Sequence, residues 1–161
     1  MKKFLFMSLV VLCVMGAKSQ GVHIYNPNAD AKADIQKAVK EAKVEGKHVF
    51  LQIGGNWCPW CVKFHQFVDD DPEIKSFVNQ NFVVVKVNYS KENKNLEAMK
   101  DLGFPQRFGF PVFVILNGEG QNIHIQNSGY LEEDGGYNKK KVLTFFKQWS
   151  PRALDPKTYE E

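Results

Sequence analysis

Two cysteines stand two residues apart in Asn56-Trp57-Cys58-Pro59-Trp60-Cys61, and their neighbours place them where a strand gives way to a helix. Upstream, Val49-Phe50-Leu51-Gln52-Ile53 is a short apolar run suited to a central strand. Gly54-Gly55-Asn56 breaks that strand, and Pro59 suits the first turn of a helix, where its missing N–H would have had no partner anyway. From there Trp60, Phe64 and Phe67 recur at i, i+4 and i+7, while Cys61, Phe64 and Val68 form an overlapping stripe.

The pair has three readings: a staple, half of a metal site, or a redox centre. As a staple it is poor, because closing a loop of two intervening residues constrains the unfolded chain very little. As a metal site, Cys58, Cys61 and His65 supply three ligands at workable spacing. A fourth is needed, no second Cys-x-x-Cys occurs, and His23, His48 and His124 are scattered. Val62, not histidine, follows the second cysteine, which excludes the usual haem-attachment motif. The redox reading has a physical basis. Sulfur attacks as thiolate, and unpaired N–H groups with the positive end of the dipole at a helix start favour the anion. Cys58, just before the helix, receives that stabilisation, and Cys61, one turn further in, receives much less. Cys58 is therefore the expected nucleophile and Cys61 the resolving thiol. Trp57 is expected to shield the pair while leaving Cys58 accessible, and Pro59 to stiffen the turn. Trp60 has two readings, core packing and a place at the rim of the site.

The first residues place Lys2 and Lys3 before an apolar run from Phe4 to Met15, followed by Ala17-Lys18-Ser19. That layout predicts a cleaved signal peptide over 1–19, with Cys13 discarded in it. Its three lysines account for the basic balance of the whole chain: without them 18 basic residues face 18 acidic ones. Neither nucleic-acid nor anionic-membrane binding is expected of a mature chain so nearly neutral. The remainder, 20–150 with a tail over 151–161, is long enough for one domain with a core of its own, expected as a monomer.

Periodicity orders the rest. Asp30 to Glu45 reads as a helix stopped by Gly46, and Pro72 opens another with Ile74, Phe77 and Val78 as its buried face. Phe82 to Val87 is a strand and Asn93 to Leu102 a short helix closed by Gly103. Pro111 to Leu116 and Ile123 to Ile125 flank a hairpin turn at Asn117-Gly118, and Lys139 to Trp149 is a terminal helix. Asn127 to Asn138 is rich in turn formers and reads as a surface loop. The expected fold class is α/β: a mixed central sheet flanked by helices on both faces, with an N-terminal extension helix.

Trp57-Cys58-Pro59-Trp60-Cys61 after an apolar strand resembles the active-site motif of the thioredoxin superfamily. Downstream, Gly109-Phe110-Pro111 followed by "VFVILNGEG" resembles that family's cis-proline segment and hairpin. The resemblance covers roughly Val49 to Trp149 and implies a thioredoxin fold. It also implies a cis bond before Pro111, the isomer that costs little only before proline. Phe110 would offer its backbone to an extended substrate, as in strand addition. Within the superfamily, "IGGNWCPWCVKF" and the segment after it are similar to exported single-domain members, which are akin to the C-terminal domain of the membrane-bound thiol:disulfide interchange protein.

The resemblance implies an exported disulfide oxidoreductase acting on protein substrates, periplasmic if the source is a Gram-negative bacterium and otherwise secreted. The pair itself carries the electrons, so no bound cofactor is expected, but a redox partner must recycle it. Trp57, Pro59, Trp60, Phe110 and Pro111 are the expected substrate-binding residues. A non-catalytic peptide-binding module is the alternative reading. One departure stands out: six residues before the nucleophile, where thioredoxin has a buried aspartate, this chain has Gln52. A neutral amide cannot take a proton from the resolving thiol, so Cys61 would need water or another base.

Overall fold

Alternation along β1 (His48–Gly54) decides the layering. Val49, Leu51 and Ile53 face an aliphatic core on one side of the sheet, and Phe50 faces an aromatic core on the other. All seven residues of the strand are buried, as a central strand covered on both faces requires. The computed structural model describes residues 22–160. The expected leader, 1–19, lies outside them.

β1 pairs in parallel with β2 (Phe82–Asn88) and antiparallel with β3 (Val112–Leu116), which pairs with β4 (Asn122–Asn127). The sheet order is β2-β1-β3-β4. A parallel pair needs a long crossover, which α2 (Pro59–Asp70) and α3 (Pro72–Asn81) supply between β1 and β2. α1 (Ala31–Glu45) and α4 (Leu96–Asp101) cover the aliphatic face through Ala38, Ala42, Ala98 and Met99. α2, α3 and α5 (Lys139–Gln148) cover the aromatic face through Phe64, Ile74, Val78, Val142, Phe145 and Phe146. The Phe50 ring sits 5.0 Å from that of Phe146 and 5.4 Å from that of Phe113.

Local chemistry sets the helix ends. The Asp30 carboxylate accepts from the N–H groups of Lys32 and Ala33 to start α1, and Gly46 ends it at φ 65°, a left-handed position suited to glycine. Asp71 likewise accepts from Glu73 and Ile74 at the start of α3.

Three segments differ from the sequence expectation. α4 starts at Leu96 rather than Asn93, because the asparagines ahead of it are engaged elsewhere. Asn93 donates to the carbonyls of Pro27 and Ala29, and Asn95 donates to that of Asn88 with its own backbone left-handed. The segment 127–138 is no plain surface loop. It forms a 3-10 turn over Ser128–Leu131 and a small hairpin of β5 (Glu132–Glu133) and β6 (Gly136–Tyr137), burying Leu131 and Tyr137 against the aromatic core. The tail beyond Ser150 adds α6 (Pro151–Leu154), capped by the Ser150 hydroxyl.

Candidate active site

Gly54 and Gly55 let the chain leave β1 tightly enough for α2 to begin directly above the strand end. A Cβ on Gly54 would lie 2.4 Å from the Cys61 sulfur, and one on Gly55 would lie 2.3 Å from Trp57 Nε1. Cys58 is the N-cap of α2 and Pro59 its first residue. The two cysteines form a disulfide with Cα atoms 5.3 Å apart, and the Cys61 N–H donates to Cys58 Sγ at 3.2 Å. Both cysteines are buried, but Cys58 retains 4% of its surface and Cys61 none, so of the two only Cys58 keeps any open edge.

The residues singled out from sequence gather around this bond. Trp57 is exposed; its indole N–H donates to the Tyr89 carbonyl at 2.8 Å and its ring meets Phe110 edge-on at 5.5 Å. The Phe110–Pro111 peptide is cis, and Phe110 packs against the cluster that holds both cysteines. Trp60 packs on the cysteine cluster and on the aromatic core, its ring edge-on to Tyr137 at 5.5 Å, and the Lys63 ammonium lies 4.3 Å above it. Pro111 is buried at the head of β3. A groove of about 520 Å³ runs beside Trp57, between Tyr89, Lys91 and Lys94. His65 lines a cavity with Asp69, Lys75 and Lys86, and among the described residues no group of His, Cys, Asp and Glu is arranged to hold a metal ion.

Beneath the pair the structure brings together residues that no pattern in the sequence connects. Gln52 is fully buried, and its Nε2 donates to the Tyr25 hydroxyl and to the Cys61 carbonyl, both at 2.9 Å. Its Oε1 accepts from Lys86 Nζ, which reaches across from the paired position on β2. Tyr25 belongs to a strap ahead of α1 and packs directly on Cys58 and Cys61. Asn56 fastens the strap: its Oδ1 accepts from the N–H groups of Ile24 (2.9 Å) and Tyr25 (3.0 Å), and its Nδ2 donates to the Tyr25 carbonyl (2.8 Å). Burial holds the Tyr25 phenol well above its ordinary pKa, so it stays protonated. No local signal marks Tyr25, since its partners lie about thirty residues away. Lys86 was findable in principle, as a charge in an otherwise apolar strand.

Burial lowers Lys86 from 10.5 to about 8, with Asp69 opposing weakly. Between those values the unfolded chain binds more protons than the folded one, so stability should rise as pH climbs from about 8 towards 10.5. Comparing urea midpoints of the wild type and Lys86→Met over that window checks this. The rise should disappear in the variant; an identical slope in both would show that other groups produce it.

The four-stranded sheet, the disulfide at the N-terminus of α2 and the cis peptide opposite it define a disulfide oxidoreductase of the thioredoxin type. A thioredoxin-like domain profile matches residues 35–139, and the chain belongs to that family. Among curated relatives, it is 23% identical to the disulfide bond reductase DsbH of Chlamydia pneumoniae over 69% of this chain and 74% of that protein. It is 24% identical to the thiol:disulfide interchange protein DsbD of Vibrio cholerae over 63% of this chain, but spans only 16% of DsbD. Among solved structures, a disulphide isomerase from Xylella fastidiosa aligns with a TM-score of 0.70 and 25% identity, over 79% of this chain and 96% of that one. The reduced C-terminal domain of DsbD from Neisseria meningitidis aligns with a TM-score of 0.55 at 19% identity, over 74% of this chain and 97% of that one, a likeness of fold.

Proposed function

We propose that this chain is an exported oxidoreductase that exchanges disulfides with protein substrates, with Cys58 as the nucleophile and Cys61 as the resolving thiol. The observation that carries the reading is the asymmetry of the pair: Cys58 caps the helix and keeps an open edge, while Cys61 is sealed one turn inside. In the reducing direction the Cys58 thiolate attacks one sulfur of a substrate disulfide, and the other substrate sulfur leaves as thiolate. Cys61, deprotonated, then attacks Cys58, releasing the second substrate sulfur as thiolate and leaving the Cys58–Cys61 bond. Both electrons pass from the pair to the substrate, whose sulfurs take protons from water. A partner dithiol must return the pair to its reduced state. The relative that is a disulfide bond reductase favours this direction.

Trp57, Pro59, Trp60, Phe110 and Pro111 form the substrate platform. Phe110 lies just outside the sheet ladder, which ends at Val112, so its backbone is open to an extended peptide. Among the described residues no helix is long and apolar enough to cross a membrane. Export rests on the sequence of 1–19, with 20–150 as the working domain and 151–161 as its tail. Pure binding would require neither thiol.

The test is a Cys61→Ser trap in the native host. Proteins should accumulate on Cys58 as adducts released by dithiothreitol and identified by mass spectrometry, on a chain whose mass shows it to begin near Gln20. Recovery of no thiol-sensitive adducts would sink the exchange mechanism.

A further inference from the structure

Gln52, standing where an acid would serve as a base, is tied into a chain whose polarity can be read without ambiguity. The Cys61 carbonyl can only accept a hydrogen bond and the Lys86 ammonium can only donate one. The amide of Gln52 must therefore turn its nitrogen to Cys61 and its oxygen to Lys86. The same nitrogen donates to Tyr25, whose oxygen acts as acceptor there. The phenolic proton is thus directed away from Gln52. Gly54, with no side chain to intervene, borders both groups: the position a Cβ would occupy there is 3.0 Å from the Tyr25 oxygen and 2.4 Å from the Cys61 sulfur. The apolar neighbours in this cluster, Ile24, Trp60 and Phe110, bring no side-chain oxygen, and the hydroxyl of Tyr137, which also interacts with Tyr25, is itself engaged with the Trp60 carbonyl.

We propose that the Tyr25 hydroxyl is the hydrogen-bond donor to the Cys61 sulfur when the disulfide opens and closes, aimed there by the Lys86–Gln52 chain and by the Asn56 clamp on the strap. The inference rests on the functional reading above and deepens it. When an external thiolate attacks Cys58, a new S–S bond forms between them and the Cys58–Cys61 bond breaks. Its electron pair goes to Cys61, which leaves as a thiolate in a site closed to water. Tyr25 supplies the hydrogen bond that water would have given and keeps its proton; the thiolate is later protonated from solvent. In the reverse step the same bond favours the ionised form of Cys61 that must attack. The device replaces a buried base with a fixed donor, which a neutral amide can orient but not itself provide.

The experiment tracks opening of the disulfide by dithiothreitol in stopped flow, read through the fluorescence of the adjacent tryptophans. Tyr25→Phe keeps the ring and the strap and removes only the hydroxyl. It should slow opening about tenfold, the usual scale for losing a hydrogen bond to a charged group. In a Cys61→Ala background, attack of Cys58 on glutathione disulfide should not change when Tyr25→Phe is added, because Cys61 takes no part. Replacing Tyr25 by 3-fluorotyrosine, a stronger donor of nearly the same shape, should speed opening. Opening of Tyr25→Phe within twofold of wild type, or equal slowing of the Cys58 step in the Cys61→Ala background, would overturn the proposal. Wild-type protein that exchanges no disulfide at all would overturn the functional reading with it.

Discussion

Cys58→Ser should abolish catalysed reduction of a protein disulfide, lowering the rate by about 10³-fold or more, since losing the nucleophile removes the step on which all later ones depend. Cys61→Ser should behave differently. It retains the Cys58 sulfur at the helix N-terminus, so it should form one mixed disulfide per chain and then stop. A single-turnover assay with an excess of disulfide-bonded protein substrate, quenched and resolved by mass, separates the two. The assignment of roles fails if Cys58→Ser still accumulates adducts on Cys61 while Cys61→Ser accumulates none.

Phe50→Ala should cost about 3–5 kcal/mol of stability, the range for deleting a fully enclosed aromatic ring. Phe50 lies on the central strand and touches aromatic rings from every layer on its side: Phe64 of α2, Phe82 of β2, Phe113 of β3, and Phe145 and Phe146 of α5. With neighbours on all sides fixed by their own elements, the cavity cannot collapse. Val84→Ala, on an edge strand and partly exposed, should stay within about 1 kcal/mol as a control. Urea unfolding of the oxidised proteins measures both, and a loss below about 1 kcal/mol for Phe50→Ala would show that the core relaxes into the gap.

Much of this architecture is legible in the sequence because it is written in short-range patterns. The continuous apolar run of β1, the helical spacing of α1, α2 and α5, and Gly46 closing α1 are local signals, and each element appears where its pattern lies. The redox pair is legible for the same reason, being a six-residue phrase at a strand-to-helix turn. What was not legible depends on residues far apart. Asn93 and Asn95 look like the start of a helix until their side chains are seen holding segments on either side. The turn-rich stretch around Tyr137 looks like a loop until its ring is found edge-on to Trp60 and Phe64. Tyr25 sits in a stretch with no periodicity at all, and its place under the disulfide is set by the side chains of Asn56 and Gln52.

The strap also bears on assembly in time. It is the first described part of the chain to leave the ribosome, yet its anchors come later: Asn56 lies 31 residues after Tyr25, and Asn93 lies 64 residues after Ala29. Until Asn93 has emerged, only Asn56 can hold the strap, and the stretch closed between Ala29 and Asn93 encloses α1, β1, α2, α3 and β2. The cysteines are thus made, and able to react, before the floor beneath them is complete, because Lys86 and Asn93 follow them in the chain. During that interval the pair should behave more as two ordinary thiols than as a matched set.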